Sequence, residues 1–307
     1  MSVPVCVLGL GLIGGSVLRA AVAAGRDAWG SHRSGVAGAG GFEVGSDLSA
    51  ALRRAAAEDA LVVLAVPMTA VDPVLATVAS EAPGCALTDV VSVKAAVARA
   101  VQRNGLSQRY VGGHPMAGTS ESGWAASDAR LFHGASWVVA ADDGLDVTVW
   151  QRVARLALDC GAHVVPASAA EHDLAVARIS HLPHVLAAVL AGVGGDGGEL
   201  ALSLAAGSFR DGTRVAGTRP ELIQAMCEAN DAALLEAMDD AMARLSAARD
   251  ALQSTGSLAA VVGEGHRARL RLDAQAHPAI TGIDFRSAGV LAQLREAGRK
   301  GGVLRSL

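Results

Sequence analysis

Six residues near the start of the chain, Gly9-Leu10-Gly11-Leu12-Ile13-Gly14, constrain the fold more than any others. They follow a short valine- and leucine-rich run at 3–8 that reads as a buried strand. They open an apolar stretch at 13–24 that reads as a helix ending at Gly25. The first glycine permits a tight turn out of the strand. The second lets a ligand come against bare backbone, and the third lets helix and strand pack closely. The N–H groups at the helix start then offer a seat for phosphate. In a chain of 36 glycines the pattern alone is weak. With a strand before it and a helix after it, the pattern reads as a dinucleotide-binding loop.

The rest of the first half fits that reading. Runs at 28–31, 61–66, 86–91, 110–112, 137–140 and 163–165 read as strands. Stretches at 69–80, 95–102 and 147–160 read as helices, with Thr69 capping the first. Apolar strands alternating with helices predict an α/β fold, a Rossmann-type mostly parallel sheet covered on both faces. After Pro166 the strand signal stops. A long helix is predicted at 169–193, bent at Pro183, then a short one at 199–206 and a long one at 220–252 with Pro220 in its first turn. Leu222, Met226, Ala229, Ala233, Ala237, Ala241 and Leu245 form a small-residue stripe along the last. Residues 254–265 read as a linker and 285–307 as a tail with one helix. The expected domains are therefore 1–167, which binds the dinucleotide, and 168–307, which is all-α and includes the tail.

Composition excludes several classes. The chain is 51% hydrophobic with a mean hydropathy of +0.35, which raises the question of a membrane protein. No uncharged apolar stretch of the ~18–20 residues that a span needs stands out, since 60–79 is broken by Pro67, Asp72 and Pro73. A net charge of −4 argues against nucleic acid as a partner. Cys6, Cys85, Cys160 and Cys227 are far apart and include no Cys-x-x-Cys pair, so no metal site is expected and a reducing cytoplasm is. The apolar N-terminus lacks the positive flank of a secretory signal.

The end of the second strand bears on the cofactor. An acidic residue there would bond the 2′-hydroxyl of NAD, but Ser31-His32-Arg33-Ser34 stands in its place and Asp27 lies at the wrong end. An arginine flanked by hydroxyls fits a 2′-phosphate, so NADP is expected ahead of NAD. Stacking of Arg33 on adenine, or simple solvation, are the other readings. The expected cofactor contacts are Gly9, Gly11, Leu12, Ile13 and Gly14, then Ser31, His32 and Arg33, and Val66 and Pro67 after the strand at 61–66.

Four further polar segments interrupt the apolar background. They are Asp89-Val90-Val91-Ser92-Val93-Lys94, Gly112-Gly113-His114-Pro115-Met116-Ala117-Gly118-Thr119, Ile179-Ser180-His181-Leu182-Pro183-His184, and Ser208-Phe209-Arg210-Asp211-Gly212-Thr213-Arg214. Ser92 and His114 fall at the carboxyl ends of strands, where open α/β sheets bind ligands. With the glycine loop, these motifs in this order resemble the prephenate/arogenate dehydrogenases of tyrosine biosynthesis, over roughly residues 3 to 250.

The resemblance implies a small-molecule substrate, a homodimer formed through the C-terminal helices, and an active site between the two domains. It implies NAD(P)-dependent oxidative decarboxylation of prephenate, with arogenate or 4-amino-4-deoxyprephenate as alternatives. His114 matches the catalytic histidine and Ser92 the serine beside it, although Ser92 also reads as the cap of the helix at 95–102. Arg214 matches the arginine that grips a substrate carboxylate, with an ion pair to Asp211 as the plainer reading. Arg210, His181 and Thr119 are expected near the substrate. The family's acidic gate after Gly-Thr is absent, because Ser120 stands there with Glu121 next. Residues after about 255 are too few for a regulatory ACT domain. Other Rossmann-plus-helical oxidoreductases place a lysine or aspartate where this chain has His181. A dinucleotide sensor without activity would not need these polar segments.

Overall fold

A computed structural model describes residues 2–119 and 121–307. The chain divides into two compact units. One runs to His172 and includes Pro278–Leu307; the other is Asp173–His277.

In the first unit, β1 (Val5–Leu8), β2 (Ala28–Ser31), β3 (Glu43–Gly45), β4 (Leu61–Leu64) and β5 (Leu87–Asp89) form a parallel sheet in the order β3-β2-β1-β4-β5. This is the dinucleotide-binding order, with β1 central and its carboxyl end beside that of β4. A second sheet joins β6 (Gly113–Pro115), β7 (Ser136–Ala140) and β8 (His163–Ala167), with β6 antiparallel to β7 and β7 parallel to β8. The bridge between Leu87 and Tyr110 connects the two sheets.

Alternate residues of β1 and β4 enter two different cores. Val5, Val7, Leu61 and Val63 pack with Val17 and Leu18 of α1 (Leu12–Ala23) and Trp150 and Val153 of α5 (Val147–Asp159). Cys6, Leu8, Val62 and Leu64 pack with Leu52 of α2 (Leu48–Glu58), Leu75 of α3 (Met68–Glu81) and Val97 of α4 (Ala95–Arg103). Burial on both faces is why these strands read as unbroken apolar runs.

Several expectations are corrected. Strand β3 and helix α2 were not expected, because the first is a short exposed edge and the second is rich in alanine and arginine. An Asp47 side chain that accepts from the Ala50 N–H at 2.9 Å starts α2. The cap of α3 is Pro67, not Thr69, and that of α4 is Lys94, not Ser92.

The helix α6 (Ala169–Val176) leads into a wide π turn at Ala177–His181 and then α7 (Leu182–Asp196). Proline at 183 has no N–H to donate back to residue 179 and its ring crowds that carbonyl. The wide turn absorbs the loss, so the irregularity precedes Pro183 and the helix continues. The unbroken helix Ala169–Asp196 is long and apolar enough, by length and composition, to cross a membrane, contrary to the expectation of no such stretch. Only 22% of its apolar window is buried within the chain.

The second unit continues with α8 (Gly198–Ser203), α9 (Gly207–Thr213), α10 (Pro220–Ala229), α11 (Asp231–Thr255) and α12 (Ala259–Asp273). The single helix expected at 220–252 breaks at Asn230, and the expected linker at 254–265 becomes α12 after a left-handed Gly256 (φ 67°). Phe209 of α9 packs so closely on Gly194 of α7 that a Cβ there would lie 2.4 Å from its ring.

The tail, expected with the helical domain, belongs to the first unit instead. Leu304 pairs with Val164 of β8, exchanging bonds of 2.9 and 2.8 Å. Helix α13 (Val290–Arg299) lies against β8, with Gly298 so tight on the Pro166 carbonyl that a Cβ would come within 1.9 Å. This pairing covers the free edge of the second sheet.

Candidate active site

The glycine loop is built as its spacing requires. Gly9 has φ 96°, and a Cβ on it would sit 2.4 Å from the Ala65 carbonyl oxygen; one on Gly14 would sit 1.9 Å from the Gly9 oxygen. A Cβ on Gly11 would meet nothing within 4 Å, so open space lies above that backbone. Helix α1 begins there with no side-chain cap and no acid in its first turn. Bare backbone beside an uncapped helix start fits a diphosphate. Leu12 and Ile13 supply the first turn, half-buried. Val66 lies against Gly9, with Cγ1 2.9 Å from a Cβ built there, and Pro67 is exposed beyond it.

The three residues expected at the ribose end divide in role. Ser31 is buried, and its carbonyl accepts from the Gly9 N–H at 2.9 Å. His32 Nδ1 accepts from the Leu10 N–H at 3.3 Å, which leaves the neutral ring's proton on Nε2. Histidine 32 therefore braces the glycine loop from β2. Arg33 is exposed and makes no ion pair among the described residues.

Strand β5 ends in a buried polar cluster that holds the next two segments together. Lys94 and Asp89 are 1% and 0% exposed and form an ion pair. Asp89 also accepts from the Val91 N–H at 2.8 Å and from the Tyr110 hydroxyl at 2.6 Å, while Lys94 donates to the Gly113 carbonyl. The bend carrying Ser92 is thus tied to the strand carrying His114. Fully satisfied, such a cluster is rigid; with one partner removed it is costly.

His114 sits half-buried in β6, opposite Val138 of β7. Its Nδ1 lies 2.8 Å from Nε2 of His172, and the rings meet edge to face at 5.0 Å. Downstream, Thr119 is exposed and its hydroxyl accepts from the Glu121 N–H at 3.2 Å. Ser120, the gate position, lies outside the described residues.

The other candidates belong to the second unit. His181 closes the π turn, is buried, and meets the Asn230 amide at 3.2 Å. That amide also donates to the Asp173 carbonyl at 2.8 Å, so the break at Asn230 fixes the histidine. Arg214 follows α9 and opens a short 3-10 turn, Arg214–Gly217. Both Arg210 and Arg214 are exposed, and neither forms an ion pair among the described residues, so the pairing with Asp211 is not made.

Among the described residues no group of histidine, cysteine or acidic side chains could hold a metal ion. Burial pushes the Cys6 and Cys160 thiols up to about 12, so neither is a ready nucleophile. The spacing of motifs missed His172 and the Asp89–Lys94–Tyr110 cluster. Charged residues on both sides of Ser92 in an apolar segment were the available signal.

Known proteins complete the picture. Residues 24–166 match the nucleotide-binding domain of prephenate dehydrogenase, and 168–260 match its dimerization domain. The chain is 32% identical to the cyclohexadienyl dehydrogenase of Zymomonas mobilis, covering 87% of this chain and 95% of that one. It is 31% identical to the prephenate dehydrogenase of Lactococcus lactis, over 69% of this chain and 60% of that one. A solved protein of Corynebacterium glutamicum, assigned as a prephenate dehydrogenase, superposes with a TM-score of 0.94 at 48% identity and 99% coverage of both chains. A dinucleotide loop, a histidine on the neighbouring sheet and both matching domains in order place the chain in the prephenate dehydrogenase family.

Proposed function

We propose that this chain oxidises prephenate with a nicotinamide dinucleotide, giving 4-hydroxyphenylpyruvate and carbon dioxide. The observation that carries the reading is His114, half-buried and braced by a second imidazole, in the same unit as an intact dinucleotide loop. A bound nicotinamide dinucleotide, held at the glycine loop, would supply the hydride acceptor for C4 of the ring. His114 takes the C4 hydroxyl proton as that hydride leaves. The bond to the ring carboxylate breaks, its electron pair enters the ring as the aromatic phenolate forms, and the phenolate regains the proton held on His114 to give the phenol. Aromatisation drives the reaction, so the protein mainly positions the substrate and accepts one proton.

The remaining roles follow chemistry. Ser92 orients the hydroxyl, Thr119 lies on the loop beyond His114, and His181 contacts substrate. The exposed guanidinium of Arg214, with Arg210 as a second, suits a carboxylate of the dianionic substrate. Exposed Arg33 favours NADP over NAD. Free cysteines, three of them buried, fit a reducing cytoplasm. Apolar side chains left exposed along α7 and α11 support a homodimer. Oxidation of arogenate to tyrosine is the second reading, since the Zymomonas relative's name specifies the ring and leaves the side chain open.

A steady-state matrix of prephenate and arogenate against NAD and NADP tests this. The expected result is reduced-cofactor absorbance with prephenate, strongest with NADP. Turnover of arogenate alone transfers the reading to arogenate, and four inert combinations end it.

A further inference from the structure

We propose that His172 is a positioning residue for His114, fixing the tautomer and direction of the imidazole that accepts the substrate proton. This rests on the reading of His114 as the proton acceptor.

The Nδ1 of His114 and Nε2 of His172 lie 2.8 Å apart, close enough for one shared proton and too close for two. For His114 to accept at Nε2, its own proton must sit on Nδ1 and point at His172. Nε2 of His172 is then the acceptor, and its proton sits on Nδ1. When His114 becomes the imidazolium its Nδ1–H bond is unchanged, so proton transfer needs no rearrangement of the pair. A carboxylate in the place of His172 would also orient His114, but it would hold the ring charged to higher pH. An imidazole orients it without adding a negative charge beside it. That suits a reaction whose driving force is aromatisation and which asks little of its base.

The surroundings hold His172 as a positioning role demands. It is buried, in the first turn of α6. Ser168 and Glu171 form a reciprocal cap there. The Ser168 N–H and hydroxyl donate to Glu171 at 3.0 and 2.7 Å, and the Glu171 N–H donates back at 3.2 Å. Asp142, just after β7, accepts from the Ala169 N–H at 3.1 Å. Arg299 of α13 pairs with the other oxygen of Glu171. The helix turn bearing His172 is thus gripped by its own cap, by the sheet and by the tail.

The test compares three variants at 172 with one at 114. His172→Ala is expected to lower kcat by about 10²-fold, with the KM for prephenate and dinucleotide affinity held within about twofold. His172→Gln, whose amide reaches the place of Nε2, recovers most of the rate. His172→Asn, whose amide reaches only the place of Nδ1, does not. In a His114→Asn background, His172→Ala has no further effect. Wild-type kcat in His172→Ala, with His114→Asn inert, overturns this assignment alone. Wild-type turnover in His114→Asn overturns the proton-acceptor reading and this assignment with it. If His172→Ala does not fold, equal kcat in folded Gln and Asn variants overturns it.

Discussion

The two units hold similar apolar residues and bury them differently. In the first, the valines and leucines of β1 and β4 are at most 1% exposed. In the second, Val193, Leu200 and Leu245 are 67%, 73% and 63% exposed, and among the described residues every large exposed apolar residue except Val22 lies in that unit. The first unit completes its core from its own chain. The second leaves much of its apolar surface open, as the homodimer proposed above would use. The same proposed homodimer would account for the span-like hydropathy of Ala169–Asp196, since a helix packed on a second copy would need apolar residues all round.

Charging the open face should produce the largest effect. Val193→Asp with Leu245→Glu is expected to convert dimer to monomer in sedimentation equilibrium and to melt the helical unit early. Dinucleotide binding to the first unit should survive. A dimer of unchanged stability would break the comparison. Next, Lys94→Met tests how closed the first unit is. It strands Asp89 in a dry cluster and should cost ~3–5 kcal/mol of unfolding free energy in denaturant titrations. A loss under about 1 kcal/mol would mean that water reaches the cluster.

The smallest effect concerns Glu171. Burial opposes its charge, but Ser168 and Arg299 outweigh that and hold its carboxyl down at about 2, below the ordinary 4.5. A depressed carboxylate stabilises the fold fully above pH 4.5 and loses that contribution as pH falls toward about 2. The stability gap between wild type and Glu171→Gln should therefore narrow on going from about pH 6 to pH 3. A constant gap would show that the carboxyl titrates normally.

What the sequence disclosed depended on whether a signal was local. Strand β2 and the glycine loop were legible because strand, turn and helix lie within one short segment. Strand β3 and helix α2 were not, because one is an edge and the other presents arginines to solvent. The end of α10 at Asn230 was invisible because its cause is tertiary: that amide reaches Asp173 and His181. The candidate site divides the same way. His114 stood out by its motif, whereas His172 lies 58 residues on and gains meaning only when the fold brings the rings together. Tyr110, the chain's single tyrosine, had no local signal for its bond to Asp89.

The return of the tail to the first unit has a consequence for biosynthesis. Topologically the helical unit is an insertion, because residues on both sides of it complete one fold. On the ribosome, β8 is made before the helical unit and its closing partner Leu304 after it. For a period on the order of seconds, the nascent first unit therefore presents an unsealed strand edge. Ribosomes stalled before the tail emerges would display a nearly finished domain that is prone to pair with its neighbours on the same message.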